Sequence, residues 1–311
     1  MPDPTLHYAV RTLDHGLLLP AGTILSDEVM AEVAWRGRQT KSLQHALDAH
    51  DTALADLRRY LATPPYHAIF ADPEQTADCL KIMGEVELVA PFMRVLDHFR
   101  HHDRYTYRHM LMVFALTTLL ARDLVPDYSE RLREAFAGPT HDFGKICVPL
   151  GILTKTTPLT ADERRQLEHH PLAGYVLLSY YLQDHQHFSA QVARDHHERK
   201  DGSGYPSGRR VLDPMLEIIS ICDIYDALIS PRPYRPVSFD NRTALEEITR
   251  LAEAGKVGWY VVKALVAHNR RVAFDPAKVW VSPEKRGAPP QGNNYGLVAE
   301  SSPDAIPARQ A

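Results

Sequence analysis

The chain has 311 residues, long enough for one large domain and a small one, and its 44% hydrophobic and 24% charged content is ordinary for a globular protein. A formal net charge of −4 excludes a broad electrostatic surface for nucleic-acid polymers or anionic membranes. No apolar run reaches the roughly 18 residues that a transmembrane helix needs, so we expect no membrane partner. Three scattered cysteines and an N-terminus without a signal-peptide pattern favour a reducing, cytoplasmic location.

Residues 1–60 are predicted to form a small N-terminal module of mixed α/β structure. The segment 16–25 has apolar residues on both sides of a Pro-Ala-Gly turn, which predicts two short strands. Ser26 is positioned to cap a helix, and Gly37 is positioned to end it. A second helix is predicted over residues 41–60.

Residues 61–99 are predicted to form a connecting helical segment, in which a Pro-Pro break precedes a helix at 76–99. Between residues 100 and 275 the pattern is helical with short loops, and strand-like alternation is scarce. Two stretches, 110–120 and 215–229, have the composition of buried helices. The predicted fold class is therefore mainly α, with an all-α domain over residues 100–275.

Turn and capping residues divide this helical domain. Ser129 is predicted to begin a helix that Gly138-Pro139 ends. A capping box at residues 160–163 is predicted to open the helix that carries His169 and His170. The proline that follows these histidines marks the start of the next helix, because proline is well suited to a first helical turn.

Neither end of the chain carries a functional signature. Residues 283–311 are rich in proline, glycine, asparagine and serine and have few large apolar groups, so they are predicted to form a flexible tail. The N-terminal module shows neither a phosphate-accepting aspartate context nor a set of metal ligands. Sensing, homodimerisation, contact with a signalling partner and simple packing all stay open for it.

Histidines and aspartates are concentrated in the helical domain, and the most informative feature is His196-His197, which precedes a Gly-rich turn. Adjacent imidazoles are uncommon unless something holds both rings, and a metal ion is the commonest such partner. Imidazoles with carboxylates suit iron, manganese, zinc or cobalt and suit calcium poorly. The candidate ligands are His109, His141, Asp142, His170, His196, His197 and Asp223.

Each candidate ligand also has an ordinary structural interpretation. A histidine such as His109 on an apolar helix is usually a hydrogen-bonded core residue, and a dipeptide such as His141-Asp142 is common. Asp223 alone would suit a helix cap or an arginine partner. Buried histidine and aspartate need partners, however, because an unpaired buried charge is costly. The whole set, in order within one helical domain, favours a multi-metal hydrolytic site.

These residues fall in a series of ordered motifs. The motifs are Tyr105-Thr106-x-x-His109, His141-Asp142-Phe143-Gly144-Lys145, Ile152-Leu153-x-Lys155 with Leu159-Thr160-x-x-Glu163, His170-Pro171-x-x-Gly174, HHERKDGSGYP from His196 to Pro206, and Asp223-Ile224-Tyr225-Asp226-Ala227-Leu228 with Arg232-Pro233-Tyr234-Arg235. Over about residues 100–245 the series resembles the HD-GYP family, a bacterial branch of the HD metal-dependent phosphohydrolases.

The resemblance implies an all-α HD-GYP helical domain that hydrolyses cyclic di-GMP to linear pGpG, to GMP, or to both. It also implies two divalent transition metals, iron or manganese. The implied ligands of one metal are His109, His141, Asp142 and Asp223; those of the other are His170, His196 and His197, with Asp142 bridging. The Gly-rich segment 202–206 resembles the signature loop of the family.

The chemistry of a phosphodiester accounts for such a site. Two metals about 3.5–4 Å apart lower the pKa of a bridging water, and the resulting hydroxide attacks phosphorus in line and expels the ribose 3′ oxygen. Asp142 and Lys145 are the predicted catalytic residues, since Lys145 is close enough to bind the phosphate and protonate the leaving oxygen. Arg232 and Arg235 are spaced to bind a second phosphate or a guanine edge. Tyr205 either stacks on a base or packs its loop.

The chain departs from the family pattern at three places. Tyr105 stands where some members carry a glutamate for a third metal, which favours two metals here. Gly138-Pro139 precedes the histidine–aspartate pair, where the family usually continues a helix, and Pro231 replaces a common acidic residue. Two alternatives to cyclic di-GMP hydrolysis stay open: a preference for cyclic GMP-AMP, and a nucleotide-binding signalling adaptor with little turnover.

Overall fold

The computed structural model describes residues 3–39, 44–46, 52–211, 213–232, 235 and 237–291. Over these ranges the protein is mainly α-helical, with two small antiparallel sheets. This confirms the predicted fold class, a helical domain with a mixed N-terminal module. One continuous hydrophobic core runs through both parts, from Leu6 near the start of the chain to Val279 after the last helix. No described helix combines the length and the apolar character needed to span a membrane.

The first sheet belongs to the N-terminal module. Strand β1 (Val10–Arg11) pairs antiparallel with β2 (Leu17–Leu19), and Thr5 forms an isolated bridge with Ile24. The first of the two strands predicted around the Pro-Ala-Gly turn is present as β2, whereas the second segment contributes only the bridge at Ile24. Val10, Leu18 and Leu19 are buried in the core, whereas Leu17 and Ile24 are exposed.

Helix α1 (Asp27–Gly37) begins and ends as predicted. The Ser26 hydroxyl accepts a hydrogen bond from the Val29 backbone N–H at 3.3 Å and so caps the helix. Gly37 is its last residue, and a Cβ atom at this position would lie 1.9 Å from the carbonyl oxygen of Tyr180. The glycine thus permits close packing of α1 against the helix that contains Tyr180.

The second sheet differs from the prediction. Strand β3 (Gln44–Ala46) pairs antiparallel with β4 (Glu87–Val89), where the sequence predicts helices over residues 41–60 and 76–99. Two of the three side chains in β4 are buried. Pairing between segments that are far apart in the sequence outweighs local helix preference here. Local periodicity carries no information about such pairing.

Helices occupy most of the other described residues in these two regions. Helix α2 (Ala53–Leu61) follows β3, while α3 (Pro73–Glu85) precedes β4 and α4 (Ala90–His102) follows it directly. The helix predicted over residues 76–99 is therefore two helices with a strand between them. Residues 41–43 and 47–51 of the other predicted helix lie outside the described part of the chain.

Helix α5 (Arg104–Leu124) is the centre of the helical domain, and it is buried on all sides over most of its length. This confirms the buried helix predicted at 110–120. Helices α2, α3 and α4 pack against it. The remaining helices are α6 (Tyr128–Ala135), α7 (Ala137–Thr140), α8 (Leu150–Leu153), α9 (Ala161–Leu167), α10 (His170–Tyr181), α11 (Phe188–Asp195), α12 (Pro214–Ile229), α13 (Asn241–Glu253) and α14 (Trp259–Arg270).

Two predicted boundaries before the histidine–aspartate pair need correction. Helix α6 begins one residue earlier than predicted, because the Asp127 carboxylate caps it by accepting from the Glu130 N–H at 2.7 Å. Gly138-Pro139 lies inside α7 instead of ending a helix, and α7 leads directly to His141. A Cβ atom on Gly138 would lie 3.3 Å from Cα of Phe114, so the glycine lets α7 pack closely on α5.

The capping box at Thr160 and Glu163 is present. The Thr160 N–H donates to Oε2 of Glu163 at 2.7 Å, and the Glu163 N–H donates to Oγ1 of Thr160 at 3.2 Å. The helix that it opens ends at Leu167, however, so His169 and His170 lie at the start of α10 instead of on α9. The buried helix predicted at 215–229 corresponds to α12.

The first part of the predicted tail, residues 283–291, is described and runs against α13. The backbone N–H groups of Arg286 and Gly287 donate to Oε2 of Glu246 at 2.9 and 2.7 Å. These bonds anchor the start of a segment that was predicted to be flexible throughout. Residues 292–311 lie outside the described part of the chain. The predicted limits of the module, the connecting segment and the helical domain stay predictions.

Candidate metal centre

Two groups of three ligand-type side chains meet in the interior of the helical domain. Within each group the ligand atoms all lie within 4.8 Å of one another. The first group comes from α5, from the end of α7 and from α12; the second comes from the start of α10 and the end of α11. The groups are His109, His141 and Asp223, and His170, His196 and His197. The fold thus brings together residues from five separate sequence motifs.

Asp142, the remaining predicted ligand, lies between the two groups. Its Oδ2 atom is 3.3 Å from Nε2 of His109 and 3.4 Å from Nε2 of His141. Its Oδ1 atom is 3.3 Å from Nε2 of His170 and 3.9 Å from Nε2 of His196. One carboxylate oxygen therefore faces each group, which is the arrangement that a bridging ligand requires.

Four imidazoles of the centre are oriented by hydrogen bonds on their Nδ1 atoms, at 2.6 to 3.0 Å. The acceptors are Oδ2 of Asp226 for His109, and the carbonyl oxygens of Gly138, Leu167 and Ala193 for His141, His170 and His196. Each ring thus presents Nε2 to the interior. Buried Nε2 atoms of His109 and His141 have no hydrogen-bond partner. Divalent metal ions satisfy such nitrogens, so these residues fit a metal.

Two glycines bring the first turn of α10 against the histidine–aspartate pair. A Cβ atom on Gly144 would lie 2.0 Å from the carbonyl oxygen of His170 and 2.4 Å from the backbone nitrogen of Gly174. Gly144 belongs to a 3₁₀ turn, Phe143–Cys147, that begins directly after Asp142. Because only glycine permits this approach, the motif residues fix the position of His170 relative to Asp142.

The Gly-rich loop after His197 is folded back onto that residue by close backbone contacts. A Cβ atom on Gly204 would lie 2.4 Å from both Cα of Glu198 and the carbonyl oxygen of His197. The buried Glu198 carboxylate accepts from the Ser207 N–H at 2.7 Å, and burial raises the pKa of Glu198. These contacts hold the Tyr205 ring over the ring of His197.

Burial and neighbouring charges favour the protonation forms that metal ligands need. Burial raises the pKa of Asp142, but the charges of Lys145 and His141 outweigh it and keep this pKa well below its usual range. Burial lowers the pKa of His196 to about 3 and also lowers the pKa of His197. An ionised carboxylate and neutral imidazoles are the forms that bind a divalent cation.

His109 behaves differently because carboxylates surround it. Burial lowers the pKa of His109, but the adjacent carboxylates of Asp142, Asp223 and Asp226 outweigh burial and raise this pKa to about 10. Three carboxylates around one imidazole therefore favour an added positive charge. A divalent cation supplies that charge in place of the proton, which again fits a metal site.

A cavity of about 240 Å³ opens onto the two groups of ligands. Lys145 extends into its wall, with Nζ 2.5 Å from Oδ2 of Asp142. The other basic residues of the wall are Lys155, Arg164, Arg199 and Arg232, and the apolar residues include Ile152, Leu153, Leu159, Leu167 and Ile224. Positive charge beside an apolar surface suits an anionic ligand that carries flat rings.

Three of the four predicted substrate contacts line this cavity, namely Lys145, Tyr205 and Arg232. The guanidinium carbon of Arg232 lies 4.6 Å from the centroid of the Tyr105 ring. The Tyr105 ring in turn lies nearly parallel to the ring of His109, with centroids 5.8 Å apart. Tyr105 thus fills the space between a candidate ligand and a cavity arginine.

Arg235 is not brought to the cavity, contrary to the prediction. Its side chain is 1% exposed, and Nη2 donates to the carbonyl oxygens of Ala227, Leu228 and Ser230 at 2.6 to 2.9 Å. These carbonyls lie at the C-terminal end of α12, where no further helical N–H groups are available to them. Arg235 therefore holds the end of α12, a role that its spacing from Arg232 does not reveal.

Asp226 contacts His109 directly and Tyr66 contacts Asp226, and neither residue is among the predicted site residues. Asp226 accepts at Oδ2 from Nδ1 of His109, and the Tyr66 hydroxyl donates to Oδ1 of Asp226. Asp226 follows Asp223 by three residues on α12, so helical spacing already places both on one face. Tyr66 is distant in sequence, and no local pattern marks it.

A family model described as HD domain matches residues 93–258, more than half of the chain. The matched region contains all the candidate ligands: His109, His141, Asp142, His170, His196, His197 and Asp223. The matched region excludes the N-terminal module, α2 and α3. It therefore includes every candidate ligand but not Tyr66, which contacts Asp226.

Three curated proteins illustrate the relationship. Over 165 residues the chain is 39% identical to a cyclic di-GMP phosphodiesterase of Pseudomonas aeruginosa, with 51% of this chain and 37% of that protein covered. A probable cyclic di-GMP phosphodiesterase of Vibrio cholerae is 36% identical over 229 residues, with 71% and 44% covered. A 3′3′-cGAMP-specific phosphodiesterase of Vibrio cholerae is 32% identical over 180 residues, with 57% and 36% covered. The chain spans less than half the length of each.

Proposed function

The chain belongs to the HD domain family and carries the motifs of its HD-GYP branch, and we propose that it is a metal-dependent phosphodiesterase that hydrolyses cyclic di-GMP to linear pGpG, GMP or both. The strongest support is the position of Asp142, which directs one carboxylate oxygen toward each group of candidate ligands. Two like-charged cations are held close together by such a shared carboxylate, and paired cations are a common solution for phosphodiester hydrolysis.

The proposed cofactors are two divalent transition metals, iron or manganese. The proposed ligands are His109, His141, Asp142 and Asp223 for one metal, and His170, His196 and His197 for the other, with Asp142 shared. When bound, the metals acidify a water molecule and neutralise charge on the phosphate. Tyr105 supports a count of two, because its ring stands where some family members supply a glutamate to a third metal.

Lys145 is the positively charged side chain that we propose takes part in catalysis. Its Nζ atom lines the cavity and lies 2.5 Å from Oδ2 of Asp142. In the reaction, a water oxygen forms a bond to phosphorus, and the bond from phosphorus to the ribose 3′ oxygen breaks. The Lys145 ammonium stabilises the charge that develops on the phosphate and donates a proton to the leaving oxygen, and a proton from the attacking water restores it.

The rest of the cavity suits the second phosphate and the bases. Arg232 lies over the Tyr105 ring at the cavity wall, and a guanidinium there suits a phosphate oxygen. Tyr205 lies at the cavity wall, beside His197, where a nucleobase can stack on it. The apolar side chains of Ile152, Leu153 and Ile224 offer a surface for a flat ring.

Hydrolysis of cyclic GMP-AMP is the second candidate function. The observation that favours it is the relative from Vibrio cholerae that is named for this substrate and is 32% identical to the chain. Both dinucleotides present the same phosphodiester ring to the metal centre and differ in one base. Contacts at the bases therefore decide between them, which makes direct competition between the two substrates the informative comparison.

The proposal is tested by elemental analysis of the purified protein and by chromatography of both dinucleotides after incubation with iron or manganese. We expect two metals per chain and conversion of cyclic di-GMP to pGpG or GMP. Asp142→Ala should lose both metal and turnover, because it removes the carboxylate shared by the two groups. Turnover that survives this substitution would contradict the mechanism, and tight nucleotide binding without product would identify an adaptor.

A further inference from the structure

A tyrosine from outside the family match reaches the metal centre through one carboxylate. Tyr66 lies in a 3₁₀ turn, Tyr66–Ala68, and is 2% exposed, whereas the match begins at residue 93. Its hydroxyl donates a hydrogen bond to Oδ1 of Asp226. The other carboxylate oxygen lies 2.7 Å from Nδ1 of His109. A single residue therefore separates Tyr66 from a candidate metal ligand.

Asp226 is completely buried, and protein donors surround both of its oxygens. The Ser230 hydroxyl donates to Oδ2 at 3.1 Å and lies 2.6 Å from the Tyr66 hydroxyl. A buried carboxylate remains ionised only with such donors. Burial and the charge of Asp226 raise the pKa of Tyr66 well above its usual range, so its hydroxyl remains a donor.

The turn that carries Tyr66 is hydrogen-bonded to the start of α13 and to the end of α14. Nδ2 of Asn241 donates to the carbonyl oxygen of Pro65 at 3.2 Å. Nε of Arg271 donates to the carbonyl oxygen of Ala68 at 3.2 Å. Contacts on both sides of Tyr66 thus hold its backbone in place, and the position of its hydroxyl is defined by the fold.

We propose that Tyr66 is a positioning residue for the metal centre, which orients Asp226 and, through Asp226, the imidazole of His109. The inference rests on the proposed function, because it requires that His109 binds a metal ion. A carboxylate behind a ligating histidine fixes the tautomer and the ring orientation, and loss of such support typically lowers metal affinity by about 10–100-fold. By linkage, the metal in turn stabilises docking of the segment that contains Tyr66.

The test compares Tyr66→Phe with Tyr107→Phe by calorimetric titration of Mn²⁺ into chelator-treated protein. Tyr107 is a matched control, because it is equally buried and its hydroxyl contacts the Asp56 carboxylate at 3.0 Å instead of supporting a candidate ligand. We expect Tyr66→Phe to bind Mn²⁺ about 10-fold more weakly than the wild type and Tyr107→Phe to stay within about 2-fold. The rise in Tm at a fixed Mn²⁺ concentration should be smaller for Tyr66→Phe.

Equal Mn²⁺ affinity of the wild type and Tyr66→Phe overturns the inference, even where Tm falls, since a lower Tm alone indicates only a structural role. If Tyr66→Phe does not fold, Ser230→Ala tests the same carboxylate through its other donor: weaker Mn²⁺ binding supports the inference and unchanged binding overturns it. A wild type that binds no Mn²⁺ and hydrolyses no dinucleotide overturns the proposed function as well. A wild type that does both, beside an unchanged Tyr66→Phe, overturns the inference alone.

Discussion

The ring of Tyr205 lies on the ring of His197, with centroids 4.5 Å apart and planes inclined by 22°. The same tyrosine lines the cavity, so it contacts a candidate metal ligand and the space for substrate at once. The two interpretations of Tyr205 from the sequence, base stacking and loop packing, are therefore compatible. The aromatic ring, more than the hydroxyl, carries both contacts.

Tyr205→Ala is expected to lower kcat/KM for cyclic di-GMP by roughly 3- to 10-fold, since an aromatic pair contributes about 0.5–1.5 kcal/mol. Tyr205→Phe retains the ring and should stay close to the wild type. Steady-state kinetics at saturating Mn²⁺ measure the difference. Equal losses in both variants would assign the effect to the hydroxyl and contradict the stacking argument.

Gly204→Ala is expected to destabilise the protein by about 1–3 kcal/mol, because the new Cβ atom would lie 2.4 Å from backbone atoms of His197 and Glu198. The displaced His197 should also weaken metal binding. Gly84→Ala is the control: nothing lies within 4 Å of its added Cβ, and alanine favours a helix. Thermal unfolding and elemental analysis give the two readouts, and a Gly204→Ala protein with normal Tm and metal content would refute the argument.

Lys145→Ala is expected to lower kcat by about 10²–10⁴-fold, the range for loss of a general acid. Metal content should be retained, because Lys145 contacts the Asp142 carboxylate but offers no ligand that the proposed metal sites require. Lys200→Ala serves as control, since Lys200 pairs with Glu217 at 3.4 Å and does not line the cavity. Metal loss in Lys145→Ala would instead indicate a role in assembling the centre.

Arg232→Ala and Arg235→Ala are expected to affect different properties of the protein. Arg232→Ala should raise KM by roughly 10-fold with little change in stability, since a hydrogen bond to a charged group contributes about 1.5–3 kcal/mol. Arg235→Ala should lower the free energy of unfolding by about 2–4 kcal/mol, because carbonyl oxygens at the end of α12 lose their buried donor. Chemical denaturation and kinetics on the folded protein distinguish them. A KM effect confined to Arg235→Ala would reverse the assignment.

The candidate ligands could be predicted from sequence because they belong to compact motifs. His196 and His197 are adjacent, and Asp142 follows His141 directly, so chain connectivity alone brings these side chains into one region. The central helix α5 was equally predictable, since apolar residues all around a helix require burial. Each of these signals lies within one short continuous segment of the chain.

Features that depend on distant pairing were not predictable in the same way. Strand β3 pairs with β4 across two intervening helices, and helix periodicity carries no information about such a partner. Tyr66 meets Asp226 for the same reason, through the fold and not through spacing. Arg235 shows the converse error: its proximity to Arg232 in sequence suggests a shared function, but its side chain is buried and binds carbonyl oxygens at the end of α12.

The continuous core that joins the N-terminal module to the helical domain limits how the helical domain can be separated from the rest of the chain. Helix α1 packs against α10 with no room for a side chain at Gly37, and α2 and α3 cover α5. A fragment limited to residues 93–258 would therefore expose apolar surface of α5 and α10 that the rest of the chain buries. A protein that received this segment would have to supply other apolar side chains to cover the helices that carry His109 and His170.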